Sequence, residues 1–369
     1  MKCSLIILTV FFCHMASGED FLKSITTPPP EFRDDFGELR SPLLFENGES
    51  VKTPEQWEER RTGILREWSN LMGQWPEVIT APEVEIIETI HREDFTQHTI
   101  RFLWTPNEKT TGYLLIPDSA VEGKHPAVVT VYYEPETAIG LGKENRDFAY
   151  QLTKRGFVTL SIGTTEATAA KTYSLYWPSI EDAKVEPLSM LGYAAANAYE
   201  VLASRTEVDA DRIGIVGHSF GGKWAMFGSC LYEKFACAAW SDPGIVFASR
   251  PSVNYWEPWY LGYEPKPWRK RGVPTDENPV SGLYPELLKQ GRDLHELHAL
   301  MAPRPFLVSG GSEDPPAQWK ALNHSIKVNE LLGFSDRVAM HNRPDHGPTT
   351  GSNEVIYRFF EHWLNPKTP

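Results

Sequence analysis

In the stretch GIVGHSFGGKWAMFGS (residues 214–229), a hydrophobic run ends at a Gly-His-Ser-Phe-Gly pentapeptide and a helical pattern begins at once. A turn that leads from a strand directly into a helix holds its apex residue in a sparsely populated conformation, which costs on the order of 1–3 kcal/mol. Gly217 and Gly221 have no Cβ to clash there. The pattern predicts that Ser219 is a nucleophile raised above a sheet at a helix N-terminus. The alternative is a serine that only caps the helix.

The segments around this turn predict an α/β fold with a mostly parallel, doubly wound sheet. Residues 83–117 contain apolar alternations that are typical of three antiparallel strands. From residue 126 onward, continuous apolar runs alternate with helical patterns, as expected for parallel strands covered on both faces. We therefore predict one doubly wound α/β domain over residues 83–369, with an aromatic-rich insertion at about residues 244–300 that would form a lid.

The N-terminus has the features of a secretory signal peptide. Lys2 precedes an apolar stretch at residues 5–13, and small residues follow at positions 16–18. We expect residues 1–18 to be removed and the protein to be secreted or periplasmic. A lipid anchor on Cys13 is the alternative, although bulky residues precede that cysteine. Residues 19–50 predict an irregular, extended arm, and a helix is predicted to begin after Thr53.

Composition excludes some classes of partner. The net charge of −13 argues against nucleic-acid binding, because phosphate recognition needs a basic surface. No segment after the signal is apolar enough over a sufficient length to span a membrane. Beyond the signal only Cys230 and Cys237 remain, and we predict two buried thiols, with a single disulfide as the alternative. The oligomeric state is left open.

A serine nucleophile requires a general base, which in this architecture follows the serine along the chain. His346 lies in the loop of RVAMHNRPDHGPTT, directly before the last predicted helix. His341 lies within the strand pattern of the same segment and is the weaker candidate. We therefore predict that His346 accepts the proton of Ser219.

The histidine in turn requires an orienting acid. Asp314 follows the strand RPFLVSGG and is the predicted acid, and its neighbour Glu313 is a weaker candidate. Asp242, which follows the preceding strand in AAWSDPG, is the alternative acid. The oxyanion hole is predicted to use the backbone N–H of Phe220 and a second N–H near the end of PAVVTVYY, for which Tyr133 is the choice.

Two further patterns do not indicate a cofactor. Gly140 and Gly142 resemble part of a dinucleotide-binding motif, but Asn145 occupies the third glycine position. His295 and His298 have the wrong spacing for a His-Glu-x-x-His metal site. We therefore expect no cofactor and no metal.

With the serine, acid and histidine in place, the chain resembles the α/β-hydrolase superfamily over about residues 83–369. The sequence GHSFGGK is similar to the nucleophile turn of secreted carbohydrate esterases, in particular glucuronoyl esterases and acetyl xylan esterases. In the glucuronoyl esterase motif an arginine follows the serine and a lysine stands four residues after it. Lys223 matches that lysine and Phe220 replaces the arginine. The resemblance implies an ester hydrolase acting on polysaccharide esters, with Lys223 contacting a sugar; a helix-surface lysine is the alternative.

The lid is rich in aromatic residues, which favours a sugar or aromatic ligand over disorder. We predict that Trp256 or Trp259 lines the site, whereas the alternative is that both only pack the lid onto the body. The resulting hypothesis is a secreted serine esterase that cleaves acetyl or uronate esters of polysaccharides through an acyl-enzyme. A serine peptidase of the same fold and a non-catalytic carbohydrate-binding protein are the alternatives.

Overall fold

The computed structural model describes residues 18–121, 123–164, 175–248 and 253–364. The strands in these ranges are β1 (Glu85–Arg92), β2 (Phe95–Thr105), β3 (Glu108–Pro117), β4 (His125–Tyr132), β5 (Val158–Gly163), β6 (Val208–His218), β7 (Cys237–Ser241), β8 (Phe306–Gly310) and β9 (Val338–Asn342). The helices are α1 (Gly18–Thr26), α2 (Pro54–Met72), α3 (Phe148–Thr153), α4 (Pro187–Ala203), α5 (Phe220–Leu231), α6 (Leu283–Lys289), α7 (His295–Ala299), α8 (Trp319–Leu331) and α9 (Thr350–Leu364).

The strands form one nine-stranded sheet in the order β1-β2-β3-β5-β4-β6-β7-β8-β9. The pairs β1–β2, β2–β3 and β3–β5 are antiparallel. The remaining pairs, β5–β4, β4–β6, β6–β7, β7–β8 and β8–β9, are parallel. The predicted fold class, a mostly parallel sheet with antiparallel N-terminal strands, is confirmed. Strand β6, which leads into the turn at Ser219, is near the centre of the sheet, where both of its faces are covered.

Successive side chains of the central strands enter two separate cores, as the pleat of a strand requires. Val128 and Val216 lie in the core that α1 and α9 cover, whereas Val129 and Ile215 lie in the larger core under α2, α4 and α5. This explains why the sequences of β4 and β6 are apolar at consecutive positions rather than at alternate ones.

The expectation of an irregular N-terminal arm is wrong for its first residues. Helix α1 places Phe21, Leu22 and Ile25 in the smaller core. These apolar residues follow a helical spacing, and the prolines that suggested an extended chain begin only after the helix ends. Helix α2 begins as predicted, with the Thr53 hydroxyl accepting a hydrogen bond from the N–H of Gln56 (3.3 Å).

The insertion predicted at residues 244–300 contains helices α6 and α7. Leu294, Leu297 and Leu300 are buried in the larger core. Trp68 of α2 donates a hydrogen bond to the Glu296 carboxylate (2.8 Å). The C-terminal part of the insertion is therefore part of the body of the domain.

Residues 1–17 of the expected signal segment lie outside the described residues. Within the described ranges, no helix combines the length and apolar character needed to cross a bilayer. Cys230 and Cys237 are free and buried, as predicted, and burial raises the pKa of the Cys230 thiol to about 12.

Candidate active site

The turn after β6 has the strained geometry that its glycines predict. Ser219 has φ 58° and ψ −113°, a conformation that L-residues rarely adopt. A Cβ on Gly217 would lie 2.2 Å from the carbonyl oxygen of Gly221, and a Cβ on Gly221 would lie 2.0 Å from the carbonyl oxygen of Val131. Both positions therefore require glycine, because the turn packs directly against itself and against β4.

Ser219 immediately precedes α5, but its hydroxyl does not cap that helix. The Ser219 Oγ lies 2.8 Å from His346 Nε2, a hydrogen-bonding distance. His346 lies in the loop between β9 and α9, and its side chain is partly exposed. His341 lies within β9, and burial lowers the pKa of its imidazole to about 4. The structure therefore brings together the predicted serine and histidine.

The acid that contacts the imidazole is Asp242. Its Oδ2 lies 2.6 Å from His346 Nδ1, and its side chain is fully buried. Asp242 directly follows β7 and has a φ of 53°, a left-handed conformation that is uncommon for residues other than glycine. The backbone N–H of Gly311 also donates to this carboxylate (2.6 Å). The alternative acid of the sequence therefore occupies the position predicted for Asp314.

The prediction that Asp314 contacts His346 is wrong because its carboxylate is turned toward another loop. It accepts hydrogen bonds from the N–H groups of Gly244 (2.8 Å) and Ile245 (2.6 Å). Burial, together with the charge of Asp242, raises the pKa of Asp314 to about 7. Glu313, the weakest candidate, donates its backbone N–H to Asp242 at 3.4 Å.

Lys223 is not the helix-surface lysine of the alternative prediction, because its side chain is buried. Its contact with a sugar stays a prediction. The ammonium donates to the carbonyl oxygen of Pro243 and lies 4.8 Å from the centre of the Tyr255 ring. Burial lowers the pKa of Lys223 to about 8, although the nearby carboxylate of Asp314 opposes that shift. Lys223 thus links helix α5 to the turn after β7 through the carbonyl group of Pro243.

Arg343 and His218, which were not among the predicted site residues, contact the loop that carries His346. The buried guanidinium of Arg343 donates to the carbonyl oxygens of His346 (2.7 Å), Gly347 (2.9 Å) and Ser309 (2.7 Å). The ring of His218 lies 4.8 Å from that of His346. Burial, followed by the proximity of His346, lowers the pKa of His218 well below its usual value, so His218 stays neutral.

Phe220 and Tyr133, the two predicted oxyanion residues, are in contact. Phe220 is the first residue of α5, where backbone N–H groups lack partners within the helix. Strand β4 ends at Tyr132, and the ring of the next residue, Tyr133, stacks on Phe220 with a centroid distance of 4.3 Å. The structure therefore brings the end of β4 and the start of α5 together beside Ser219.

A small cavity adjoins this aromatic stack. It has a volume of about 130 Å³ and is lined by Tyr133, Asn254, Trp259, Tyr260 and Arg271. Trp256 is buried and packs against Tyr284. Of the two tryptophans predicted to line the site, Trp259 therefore lines the cavity and Trp256 packs the lid.

The patterns dismissed as cofactor motifs have structural explanations. Gly140 lies in a short turn after β4 with a φ of 87°. His295 and His298 belong to the short helix α7, as predicted, but both are fully buried. His295 Nε2 lies 2.7 Å from the carbonyl oxygen of Arg40. In the part of the chain that the structure describes, no three His, Cys, Asp or Glu side chains are grouped so that they could hold a metal ion.

No protein-family model matches the chain, and no curated protein matches it in sequence. Solved structures of similar fold include a glucuronoyl esterase from Solibacter usitatus, with 16% identity and a TM-score of 0.70 over 88% of this chain and 97% of that one. A promiscuous CE15 esterase from a marine bacterial metagenome has 15% identity and a TM-score of 0.66 over 93% and 99% of the two chains. A putative acetyl xylan esterase from Bacteroides fragilis has 17% identity and a TM-score of 0.57 over 89% and 87%. The chain therefore has the α/β-hydrolase fold, and its resemblance to these carbohydrate esterases is confirmed at the level of structure.

Proposed function

We propose that this protein is a serine carboxylic ester hydrolase that acts on carbohydrate esters. The observation that carries this proposal is the hydrogen-bonded series Ser219 Oγ–His346 Nε2 (2.8 Å) and His346 Nδ1–Asp242 Oδ2 (2.6 Å). A hydroxyl is a weak nucleophile at neutral pH, and a base within hydrogen-bonding distance that is itself oriented by a carboxylate activates it.

In the proposed reaction, Ser219 Oγ attacks the ester carbonyl carbon while its proton passes to His346 Nε2. Asp242 accepts the Nδ1–H and stabilises the imidazolium. The alcohol leaves with the proton from Nε2, and an acyl-enzyme remains. Water then attacks the acyl carbon, gives a proton to His346, and the acid leaves as Ser219 regains its hydroxyl proton.

The oxyanion formed in each step needs donors that point at it. We propose the N–H of Phe220, at the start of α5, as one donor. The second donor is proposed to be the N–H of Tyr133, since the stack of its ring on Phe220 keeps the two backbones close. Loss of one such donor typically costs about 2.7–4 kcal/mol in the activation barrier.

The substrate class rests on two supports. The similar structures are a glucuronoyl esterase, a CE15 esterase and a putative acetyl xylan esterase. Trp259 and Tyr133 line the small cavity beside the aromatic stack, and aromatic side chains pack well against the apolar faces of sugars. Cleavage of polysaccharide esters also agrees with export, which we propose on the basis of the signal-like residues 1–18.

The test compares the wild type with Ser219→Ala on nitrophenyl acetate, acetylated xylan, methyl glucuronate esters and short peptides. We expect ester hydrolysis and labelling by a fluorophosphonate, both abolished by Ser219→Ala and unchanged in Ser204→Ala, an exposed serine of another turn. Cleavage of peptides but not of sugar esters would instead indicate a peptidase. An absence of both hydrolysis and labelling in the wild type would indicate a non-catalytic protein.

A further inference from the structure

Two arginines lie on either side of the tyrosine pair at the end of β4. Val131 of β4 is in register with Gly217 of β6, and the Tyr133 ring stacks on that of Phe220, the residue after Ser219. The two tyrosine rings are 5.1 Å apart in an edge-to-face arrangement. Groups that contact this pair therefore lie beside the proposed nucleophile.

Arg146 contacts the first tyrosine. Its guanidinium hydrogen-bonds with the Tyr132 hydroxyl, and its Nη1 donates to the carbonyl oxygen of Glu144 (3.2 Å). Its Nε is buried and has no hydrogen-bond partner among the described residues. Arg146 also lies close enough to His218 to lower the pKa of that imidazole. The half-buried Arg146 thus places a positive charge near His218, on the histidine side of the site.

Arg271 lies on the other side, in the lid. Its Cζ is 4.8 Å from the centre of the Trp259 ring, and it lines the cavity of about 130 Å³ together with Tyr133. Its neighbour Arg269 differs, because Arg269 is buried and lies 4.0 Å from the carboxylate of Glu257. Arg271 is therefore an exposed cation at the cavity that Tyr133 lines.

Within the described ranges, no carboxylate oxygen lies within 4.0 Å of Arg146 or Arg271, whereas Arg155 and Arg292 each contact two acids. Glu257 is near enough to Arg271 for that charge to oppose the rise that burial causes in the pKa of Glu257. The protein as a whole carries a net charge of −13, with more acidic than basic residues. An excess of basic residues in the sequence therefore does not explain why two arginines without a close carboxylate lie near Ser219. The exposed Glu134 follows the tyrosines and is the opposing charge that acts on both phenols.

From this arrangement, and building on the proposed function, we infer that Arg146 and Arg271 bind an anionic group of the substrate. The substrate is then an acidic oligosaccharide ester, in which a free carboxylate lies on the same sugar as the ester or on a neighbouring one. A planar guanidinium matches a carboxylate through two parallel N–H···O bonds. Tyr133 and Trp259, which line the same cavity as Arg271, would provide aromatic surface against which the sugar packs.

The experiment uses an O-acetylated oligogalacturonide and the same oligosaccharide after reduction of its carboxyl groups to alcohols. Acetate release from both is measured for wild type, Arg146→Gln, Arg271→Gln and Arg66→Gln, an exposed arginine on α2. We expect wild-type kcat/KM to be on the order of tenfold higher for the acidic substrate, the factor that one charge-assisted hydrogen bond supplies. In Arg146→Gln and Arg271→Gln, kcat/KM for the acidic substrate should fall by about this factor, mainly because KM rises. For the carboxyl-reduced substrate, their kcat/KM should stay within about twofold of the wild-type value.

Arg146→Lys and Arg271→Lys should keep part of the preference because they keep the charge. Raising the salt concentration should raise KM for the acidic substrate alone. Equal kcat/KM values for the two substrates in the wild type would overturn the inference, as would site variants that affect both substrates equally. If the wild type releases no acetate and no fluorophosphonate labels Ser219, the proposed function itself fails. Hydrolysis of both substrates without preference overturns only the anion site.

Discussion

The backbone N–H of Asp314 donates a hydrogen bond of 2.9 Å to the carboxylate of Asp242. The carboxylate of Asp314 in turn accepts the N–H groups of Gly244 and Ile245, just after Asp242 in the chain. The loops that follow β7 and β8 are therefore joined through two buried aspartates. One carboxylate faces His346 and the other faces the backbone, so removal of the two should have different consequences.

Asp242→Asn should lower kcat for nitrophenyl acetate by a factor of about 10⁴, because an amide cannot hold the imidazole in the required tautomer or stabilise its cation. Asp314→Asn should keep kcat within about tenfold, since it removes a positioning group that does not contact the imidazole. Steady-state rates at pH 8 compare the two variants. A larger loss in Asp314→Asn than in Asp242→Asn would assign the acid role to Asp314.

Asp314 should also make stability depend on pH. Burial and the charge of Asp242 raise its pKa to about 7 from a usual 3.8, so the native state binds this proton more tightly than the unfolded state. Its contribution to the free energy of unfolding is therefore greatest below about pH 4 and falls as the pH rises to about 7. Between pH 4.5 and 7.5, the fall in the free energy of unfolding should therefore be smaller in Asp314→Asn than in the wild type, by at least about 1 kcal/mol.

Urea denaturation of wild type and variant at several pH values measures this difference. Asp293, whose pKa burial raises to about 7, remains in the variant, so part of the pH dependence should persist. Parallel stability curves for the two proteins would show that Asp314 is ionised over the whole range.

Arg343→Gln should lower both activity and stability, because the buried guanidinium donates to the carbonyl oxygens of His346, Gly347 and Ser309. Displacement of the imidazole by about 1 Å costs on the order of 10²-fold in rate. Three lost charge-assisted bonds also cost about 1–3 kcal/mol in the free energy of unfolding.

The rate of fluorophosphonate labelling and the urea midpoint test this prediction together. Arg337→Gln is the matched control, because Arg337 precedes the same strand but packs against Phe334 and Trp363. A variant of Arg343 that is destabilised but is labelled at the wild-type rate would limit the residue to a structural role.

The turn at Ser219 and the choice of His346 could be predicted because they depend on local signals. The backbone of the turn is specified by a strand, two glycines at fixed spacing and a following helix. His346 is indicated by its place in a loop bounded by Gly and Pro residues, directly before the last helix. The alternation of apolar runs and helical patterns predicted the sheet for the same reason.

The acid could not be chosen in this way. Asp242 follows β7 and Asp314 follows the adjacent strand β8, so both are placed at the same edge of the sheet. Their tertiary contacts differ, because Asp242 reaches the imidazole and Asp314 accepts the N–H groups of Gly244 and Ile245. The burial of Lys223 depends on Tyr255 of the lid, which is distant in sequence. Arg343 lies three residues before His346, and a long cation so close to a histidine loop is the one sequence signal that could have indicated its role.

Gly221→Ala should prevent formation of the turn, whereas Gly63→Ala should be tolerated. A Cβ on Gly221 meets the carbonyl oxygen of Val131 at 2.0 Å, and that oxygen belongs to a central strand that cannot move. The nearest atom to a Cβ on Gly63 is the Arg60 guanidinium at 3.7 Å, an ordinary contact within helix α2. Alanine stabilises a helix interior by about 0.5–1 kcal/mol relative to glycine.

We therefore expect Gly63→Ala to raise the urea midpoint and keep wild-type kcat, while Gly221→Ala loses several kcal/mol of stability and its fluorophosphonate labelling. If Gly221→Ala retains wild-type labelling, the close packing of this turn against β4 is not what holds Ser219 in place.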